Sequence, residues 1–526
     1  DVVDTLGDIL PVQDVFHAVG RSNNPANALI TAMIAEGFTG QKSGKGGFYR
    51  DEQAIDLVSG SMRARTTELP PMAQNSAIAQ QESRETLPLM IAGKGPHTQF
   101  CRNFLGRVLA YAAALIPEVT KTPQDIDDAM KMGFNWIRGP FEMIDALGAT
   151  TVIELAQQAG CEIPMALTVS ADQGPFYVVK DQILMVRTFE DRPTLKAVSL
   201  PKGTQRFSLT RRTLQPIAKN QAASLWALPG DLRLVEFHSK ANALTADSMA
   251  IVRQAATDHG KGILIHNDAQ HFSAGVDLNR FADFITRQAW DEMDSFLNDF
   301  QQSVAALKYC PVPVVGAPSG LSLGGGFEVL LHCDKLITHA NSVLGLVESG
   351  VGVVPGGGGV KTTYQRWLSA SQDPEVAAWE TWMQVGYGKT GESPEQATKL
   401  RYFIPGHDEI VMNRDKLITR ATTLLTDMAP GYTPPTPPKM ILPGKATFSK
   451  MEAFMSDGLV KGWFKSHNKT TAMEIATIVV NITSNEPLEV TEQDMFNRER
   501  AAFLRLAKTP DTKRWITAML SGADIE

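Results

Sequence analysis

Gly320-Leu-Ser-Leu-Gly-Gly-Gly-Phe-Glu328 is the stretch on which the second half of this chain turns. An apolar strand, Val312 to Val315, is expected before it and a helix from Phe327 onward. Successive glycines at such a junction let the backbone approach a ligand with no Cβ in the way. Gly325 falls at the helix start, where free N–H groups and the dipole favour an anion. Glu328 lies among Gly326, Phe327, Val329 and Leu330, which is not the setting of a solvated surface acid.

Around this stretch, from about residue 231, short apolar strands such as Leu232 to Phe237 and Gly262 to His266 alternate with helix-like segments. That is the pattern of an α/β unit, placed here at 227–430. Three glycine clusters inside it resemble known loops. Gly350-Val-Gly-Val-Val-Pro-Gly356 approximates a dinucleotide fingerprint, but Pro355 stands near where the last close-packing glycine belongs. Gly356-Gly-Gly-Gly-Val-Lys-Thr-Thr363 approximates a phosphate loop, but Val360 replaces the glycine before the lysine. Gly320-Leu-Ser322-Leu-Gly324 is formally GxSxG, the nucleophile elbow of serine hydrolases, with Asp334 and His339, His407 or His467 as nominal partners.

Four separated pieces read better together: Phe272-Ser-Ala-Gly-Val-Asp-Leu278, Gly320 to Glu328, Leu344-Gly-Leu-Val-Glu348, and Gly350 to Gly359. At these residues, and at Asn242-Ala-Leu244, the sequence resembles the crotonase (enoyl-CoA hydratase) superfamily. The resemblance implies an α/β crotonase domain of ββα spiral type acting on an acyl-CoA thioester. It implies an oxyanion hole from the N–H groups of Ala274 and Gly325, and catalytic roles for Glu328 (water) and Glu348 (α-carbon proton). Substrate contacts are implied at Ala274, Gly275, Val276, Asp277 and Gly324. Ser322 and the Val360-Lys-Thr-Thr run depart from the family pattern. The chemistry is consistent with these roles. Hydrating an enoyl thioester passes through an enolate, and each backbone donor aimed at its oxygen is typically worth ~3–4 kcal/mol. Two carboxyls can divide the proton work if one is held protonated.

The first half reads as helical over 1–50, a polar connector with weak helices over 51–98, and a second helical block over 99–175. Thr122 is expected to cap a helix with Pro123 in its first turn. Hairpin-like pieces suggest a β-containing bridge over 176–226. Gly37-Phe-Thr-Gly-Gln-Lys-Ser-Gly-Lys-Gly-Gly-Phe-Tyr49 and Ile126 to Glu142 resemble segments of the C-terminal helical domains of 3-hydroxyacyl-CoA dehydrogenases. Lys42, Lys45 and Trp136 are expected to serve turn and core packing. The implied whole is a multidomain chain: dehydrogenase C-terminal domains, a crotonase domain at 227–430, and a linker with a helical region over 431–526. The order resembles a bacterial family of bifunctional β-oxidation enzymes, whose NAD-binding domain would precede residue 1. NAD is therefore expected only through such a domain. Hydration needs no added cofactor, and CoA arrives with the substrate.

A net charge of −7 argues against a nucleic-acid partner. Cys101, Cys161, Cys310 and Cys333 are too scattered for a metal knuckle, and no metal site is expected. A homo-oligomer in the cytoplasm, with no transmembrane segment, is the expectation. A serine hydrolase using Ser322 and a non-catalytic acyl-CoA-binding scaffold are the alternatives.

Overall fold

The computed structural model describes residues 2–14, 16–17, 26–65, 70–74, 76, 86–134 and 136–522. The chain forms two compact units, Asp1–Val198 and Ser199–Glu526. No helix among the described residues is long and apolar enough to cross a membrane.

In the first unit, the helix Ala26–Ala35 runs into the glycine-rich turn. There Lys45 Nζ donates to the Glu36 carbonyl at 3.3 Å, a turn role. Over 51–98 helix appears at 71–74 and at Leu87–Ala92, whereas Tyr49–Arg50, Gln53–Ile55 and Met62–Ala64 form a three-stranded antiparallel sheet. The reversal before Met62 is set by Asp56, whose Oδ1 accepts from the N–H groups of Val58 and Ser59. The helical block follows as Pro96–Ala114, Pro123–Gly133, Pro140–Leu147, Ala149–Gln158 and Met165–Gln173. Thr122 caps the second of these by accepting from Gln124 N–H. Asp127 is buried and accepts from Phe141 N–H and Tyr177 OH, both at 2.8 Å. One carboxyl thus ties two helices to the first strand of the meander Tyr177–Lys180, Ile183–Phe189 and Pro193–Ala197.

The segment 176–226 is divided. Its first three strands belong to the first unit, and Ala218–Lys219 and Ala223–Leu228 join the large sheet of the second. That sheet has seven strands in the order 409–411, 335–339, 314–317, 263–266, 232–237, 223–228, 218–219. The first five in that order are parallel, and the last two join through antiparallel pairings. Side chains alternate across it. Val235, Phe237, Ile263 and Ile265 face one core, while Leu234, Leu264 and Val315 face another with the helix Leu417–Met428. A smaller sheet pairs Leu321–Leu323 with Val343–Gly345 in parallel and then with Thr390–Gly391. Beyond the proline-rich passage 432–438, the strand Lys439–Leu442 pairs with Leu488–Thr491. The helices Lys445–Val460, Ser466–Val479, Glu492–Ala507 and Pro510–Ser521 complete the unit. Their apolar faces, including Ile475, Phe496, Phe503 and Ile516, belong to the same core as Phe327 and Val354.

Candidate active site

The small sheet and its flanking loops assemble the site. Ser273 N–H donates to the Leu321 carbonyl and Leu323 N–H donates to the Ser273 carbonyl, each at 3.0 Å, so the 272–278 loop lies along the strand 321–323. On its other side Leu244 N–H donates to the Gly275 carbonyl at 2.8 Å, and Asp277 N–H to the Leu244 carbonyl at 3.1 Å. The Asn242-Ala-Leu244 junction therefore braces the loop. A methyl placed on Gly275 would stand 3.7 Å from Gly325 N, which brings the two segments named as oxyanion donors side by side. Gly325 N–H opens the helix Gly325–Leu331 and precedes any partner four residues back. Ala274 N–H instead donates to the Ala241 carbonyl at 3.2 Å, so a thioester oxygen would have to replace that acceptor. Ala274 is exposed, Gly275 buried, and Val276 and Asp277 half-buried. Asp277 acts as the N-cap of the helix Leu278–Arg287, accepting from Asn279 N–H at 3.0 Å.

Glu328 and Glu348 approach this junction in unlike environments. Glu328 Oε1 accepts from Gly357 N–H and Gly359 N–H, both at 2.8 Å. Burial pushes its carboxyl up to about 7, against the lowering effect of those two donors and of Lys361. Glu348 heads the 3-10 turn Glu348–Val351 after the strand Val343–Gly345. Both its carboxyl oxygens are buried without a well-formed hydrogen bond among the described residues. The nearby N–H groups of Glu348 and Val347 pull its pKa down. Burial first, and then the charge of Glu328, hold Glu348 well above the carboxylate range. Burial thus raises both acids, and the rise is smaller at Glu328, where two backbone donors and Lys361 oppose it.

A third buried acid was not legible in the sequence. Glu499, on the helix Glu492–Ala507, accepts from Gly358 N–H at 2.8 Å and from Lys361 N–H at 2.5 Å. The turn 357–361 therefore offers alternate N–H groups to two different glutamates. Gln301 holds the same turn by its carbonyl, donating to Gly356 O at 2.8 Å. Lys361 is fully buried and donates to Glu492 Oε1 at 2.6 Å and to His332 Nε2 at 3.0 Å. His332 Nδ1 lies 2.7 Å from the Glu328 carbonyl, which fixes the neutral tautomer with its proton on Nδ1. Burial and the lysines keep that imidazole uncharged. Only the Val360-Lys-Thr-Thr departure hinted at this cluster. Its partners come from a helix more than a hundred residues further on, at Glu492 and Glu499.

Residues 234–378 match the enoyl-CoA hydratase/isomerase family, and residues 100–172 match the 3-hydroxyacyl-CoA dehydrogenase C-terminal domain family. The chain thus carries a segment similar to the 3-hydroxyacyl-CoA dehydrogenase C-terminal domain ahead of one similar to enoyl-CoA hydratase/isomerase. It is 30% identical over 485 residues to a Bacillus subtilis (strain 168) protein named "Probable 3-hydroxyacyl-CoA dehydrogenase", covering 90% of this chain and 61% of that one. The chain therefore spans about three-fifths of that relative's length. It is 32% identical over 112 residues to the fatty acid oxidation complex subunit alpha of Idiomarina loihiensis, covering 21% of this chain and 15% of that one. The solved enoyl-CoA hydratase of Bacillus halodurans overlays with a TM-score of 0.40 at 18% identity, covering 56% of this chain and 99% of that chain.

Within the hydratase/isomerase domain, the competing motif readings find other uses. Ser322 lies inside the strand 321–323, and the turn falls to the glycines after it. Its Oγ is buried with no hydrogen-bond partner among the described residues. Asp334 instead holds Val314 N–H and Tyr432 OH, His407 pairs with Asp408, and His467 with Thr512. Among the described residues no base hydrogen-bonds to Ser322, so no triad is formed there. The run Gly356 to Thr363 does present successive N–H groups, as a phosphate loop would, but carboxylates of the protein itself occupy them. Gly350 to Gly356 leads out of a 3-10 turn, not from a strand into a helix, so these residues do not fit a dinucleotide.

Proposed function

We propose that this chain hydrates 2-enoyl-CoA, within a parent protein of fatty-acid β-oxidation that also oxidises 3-hydroxyacyl-CoA with NAD. The observation that carries this reading is the pair of buried glutamates beside the Gly324–Gly325 turn, both raised by burial and Glu348 raised further by the charge of Glu328. The thioester oxygen would take the N–H groups of Ala274 and Gly325. Glu328 would remove a proton from water as its oxygen bonds to the β-carbon. Glu348, protonated at rest, would deliver its proton to the α-carbon as the enolate collapses. Each transfer leaves the other acid's starting form, and solvent exchange resets the pair. Positioned proton transfer of this kind typically contributes ~10²–10⁴-fold.

A cleft of about 540 Å³ lined by Met249, Phe284, Phe296 and Phe300 adjoins this geometry. The Phe300 ring also stands within 3.5 Å of where a methyl on Gly325 would lie. This favours an acyl tail passing Phe300, with Arg253 and Arg280 at the rim. A double-bond shift, the other activity in the family's name, would need Glu348 alone. The substrate is a thioester and no nucleic acid takes part. A cytoplasmic homo-oligomer is part of the proposal. The test is absorbance at the enoyl-thioester band with crotonyl-CoA and a longer homologue. Loss of the band with either is expected. An unchanged band with both sinks the hydratase reading, and labelling of Ser322 by a serine-directed phosphonate would favour the hydrolase.

A further inference from the structure

Outside the two glutamates of the proposed mechanism, a third acid near them, Glu499, is completely buried. It lies beyond the matched segment 234–378, on a helix of the C-terminal region. Its side chain is completely buried, and it spends both oxygens on the turn that Glu328 also grips. A carboxyl so placed is poorly explained as packing. A backbone N–H can be satisfied by a neutral acceptor at far lower desolvation cost than by an acid.

We propose that Glu499 is a positioning residue of this site, which holds the 357–361 turn in register under Glu328 and shares a single negative charge with it across that turn. The inference rests on the hydratase reading for its kinetic consequence but not for its titration. Ionising Glu328 places an anion beside Glu499, and the turn between them is too short to screen it. Burial and then the charge of Glu328 push Glu499 up to about 8, one step behind Glu328 at about 7. The groups that face the pair come from several elements. Lys361 and Arg366 lie on the helix Gly359–Ser371, and His332 follows the helix Gly325–Leu331. Glu348 heads the 3-10 turn, and Lys308 and Tyr309 close the helix Trp290–Lys308. Glu492 shares the helix of Glu499 and takes up Lys308, Lys361 and Tyr309, at 2.8, 2.6 and 2.5 Å. Lys361 is thus the cation closest in role to the pair. Burial and Lys308 bring it down to about 8, so its own charge is at stake in the same pH range.

Two substitutions test this. In Glu499→Gln the charge can reside only on Glu328. With one of its two resting places gone, the acid limb of the hydration pH–rate profile should move up, by as much as about 0.3 unit where the sharing is equal. In Lys361→Met a nearby cation is lost, and the same limb should move up. A merely structural Glu499 would instead give equal rate loss at every pH with the limb unmoved, and that result overturns the proposal. Infrared absorption of protonated carboxyls, followed from pH 5 to 9 without substrate, supplies the second readout. The wild type should lose this band in more than one step, and Glu499→Gln should lose one step fewer. An identical titration in wild type and variant would also overturn it. Should Glu499→Gln not fold, Glu499→Asp and Lys361→Met carry the same comparison, with Asp expected to keep the stepwise titration. If the wild type hydrates no enoyl-CoA, the functional reading fails, and the infrared titration still decides the role of Glu499.

Discussion

Gly324 and Glu348 are in direct apposition: a methyl on Gly324 would stand 3.4 Å from Glu348 Oε1. Gly324 also has φ +52° with ψ −132°, a backbone conformation that side chains rarely adopt. Gly324→Ala should therefore strain the turn and displace the acid at once. Hydration is expected to fall at least ~10²-fold, because a misplacement of about 1 Å costs that much. Steady-state rates together with a melting curve check this. A fully active Gly324→Ala would mean that Glu348 does not work from this position.

Glu328→Gln keeps an acceptor for Gly357 and Gly359 but loses the base. We expect a ~10²–10⁴-fold loss of hydration with acyl-CoA binding nearly intact. Residual double-bond shift through Glu348 should survive. Glu348→Gln should suppress both reactions, and the double variant should lose less than the product of the two. Wild-type hydration in either single variant would show that the acids are misassigned.

Ser322→Ala removes a buried hydroxyl that has no hydrogen-bond partner among the described residues. Its loss should leave hydration within a few-fold and stability unchanged or slightly improved, since an unsatisfied polar group is costly. Collapse of thioester turnover in this variant would instead revive the nucleophile reading.

Phe300 is buried between the cleft and the glycine turn. Phe300→Ala should raise kcat/KM for long enoyl chains relative to crotonyl-CoA, at a stability cost of about 3–5 kcal/mol for the cavity. The ratio of the two specificity constants is the readout. An unchanged ratio would place the acyl tail elsewhere.

Stability should fall on both sides of a plateau at mildly acidic pH. Glu328 titrates near 4.5 when unfolded and near 7 when folded, so the folded state holds the proton more tightly. Its contribution is complete below about 4.5 and is lost as pH rises through 7, on the order of 3 kcal/mol. Glu499 extends that loss to about 8. Glu492 is the reverse case. Although burial alone would raise it, Lys361 and Lys308 lower it to about 2, so its contribution disappears as pH falls from about 4.5 toward 2. Melting temperatures from pH 3 to 9 should show the plateau. In Glu328→Gln the alkaline decline should be shallower, and an equally steep decline would contradict the assignment.

The sequence by itself determined what local chemistry can specify. Glycine spacing marked the turns, short apolar runs between helix-like segments marked the strands 232–237 and 263–266, and Thr122 with Pro123 marked a helix start. Glu328 and Glu348 stood out because an acid flanked by apolar residues and glycines needs a reason to be there. Tertiary structure decided the rest. The residues 53–55 and 62–64 became strands because neighbours in a sheet outweigh weak local preference. The segment 176–226 was divided between two units because strand partners are chosen by long-range pairing, which composition does not reveal. Glu499, Gln301 and Lys361 entered the site only through packing. Glu499 and Gln301 carry no mark in the sequence, Lys361 stands out only within the Val360-Lys-Thr-Thr departure, and packing around the turn 356–361 gave all three a role. Hydrogen bonding to a shared backbone turn is a property of position in space, and no periodicity along the chain encodes it.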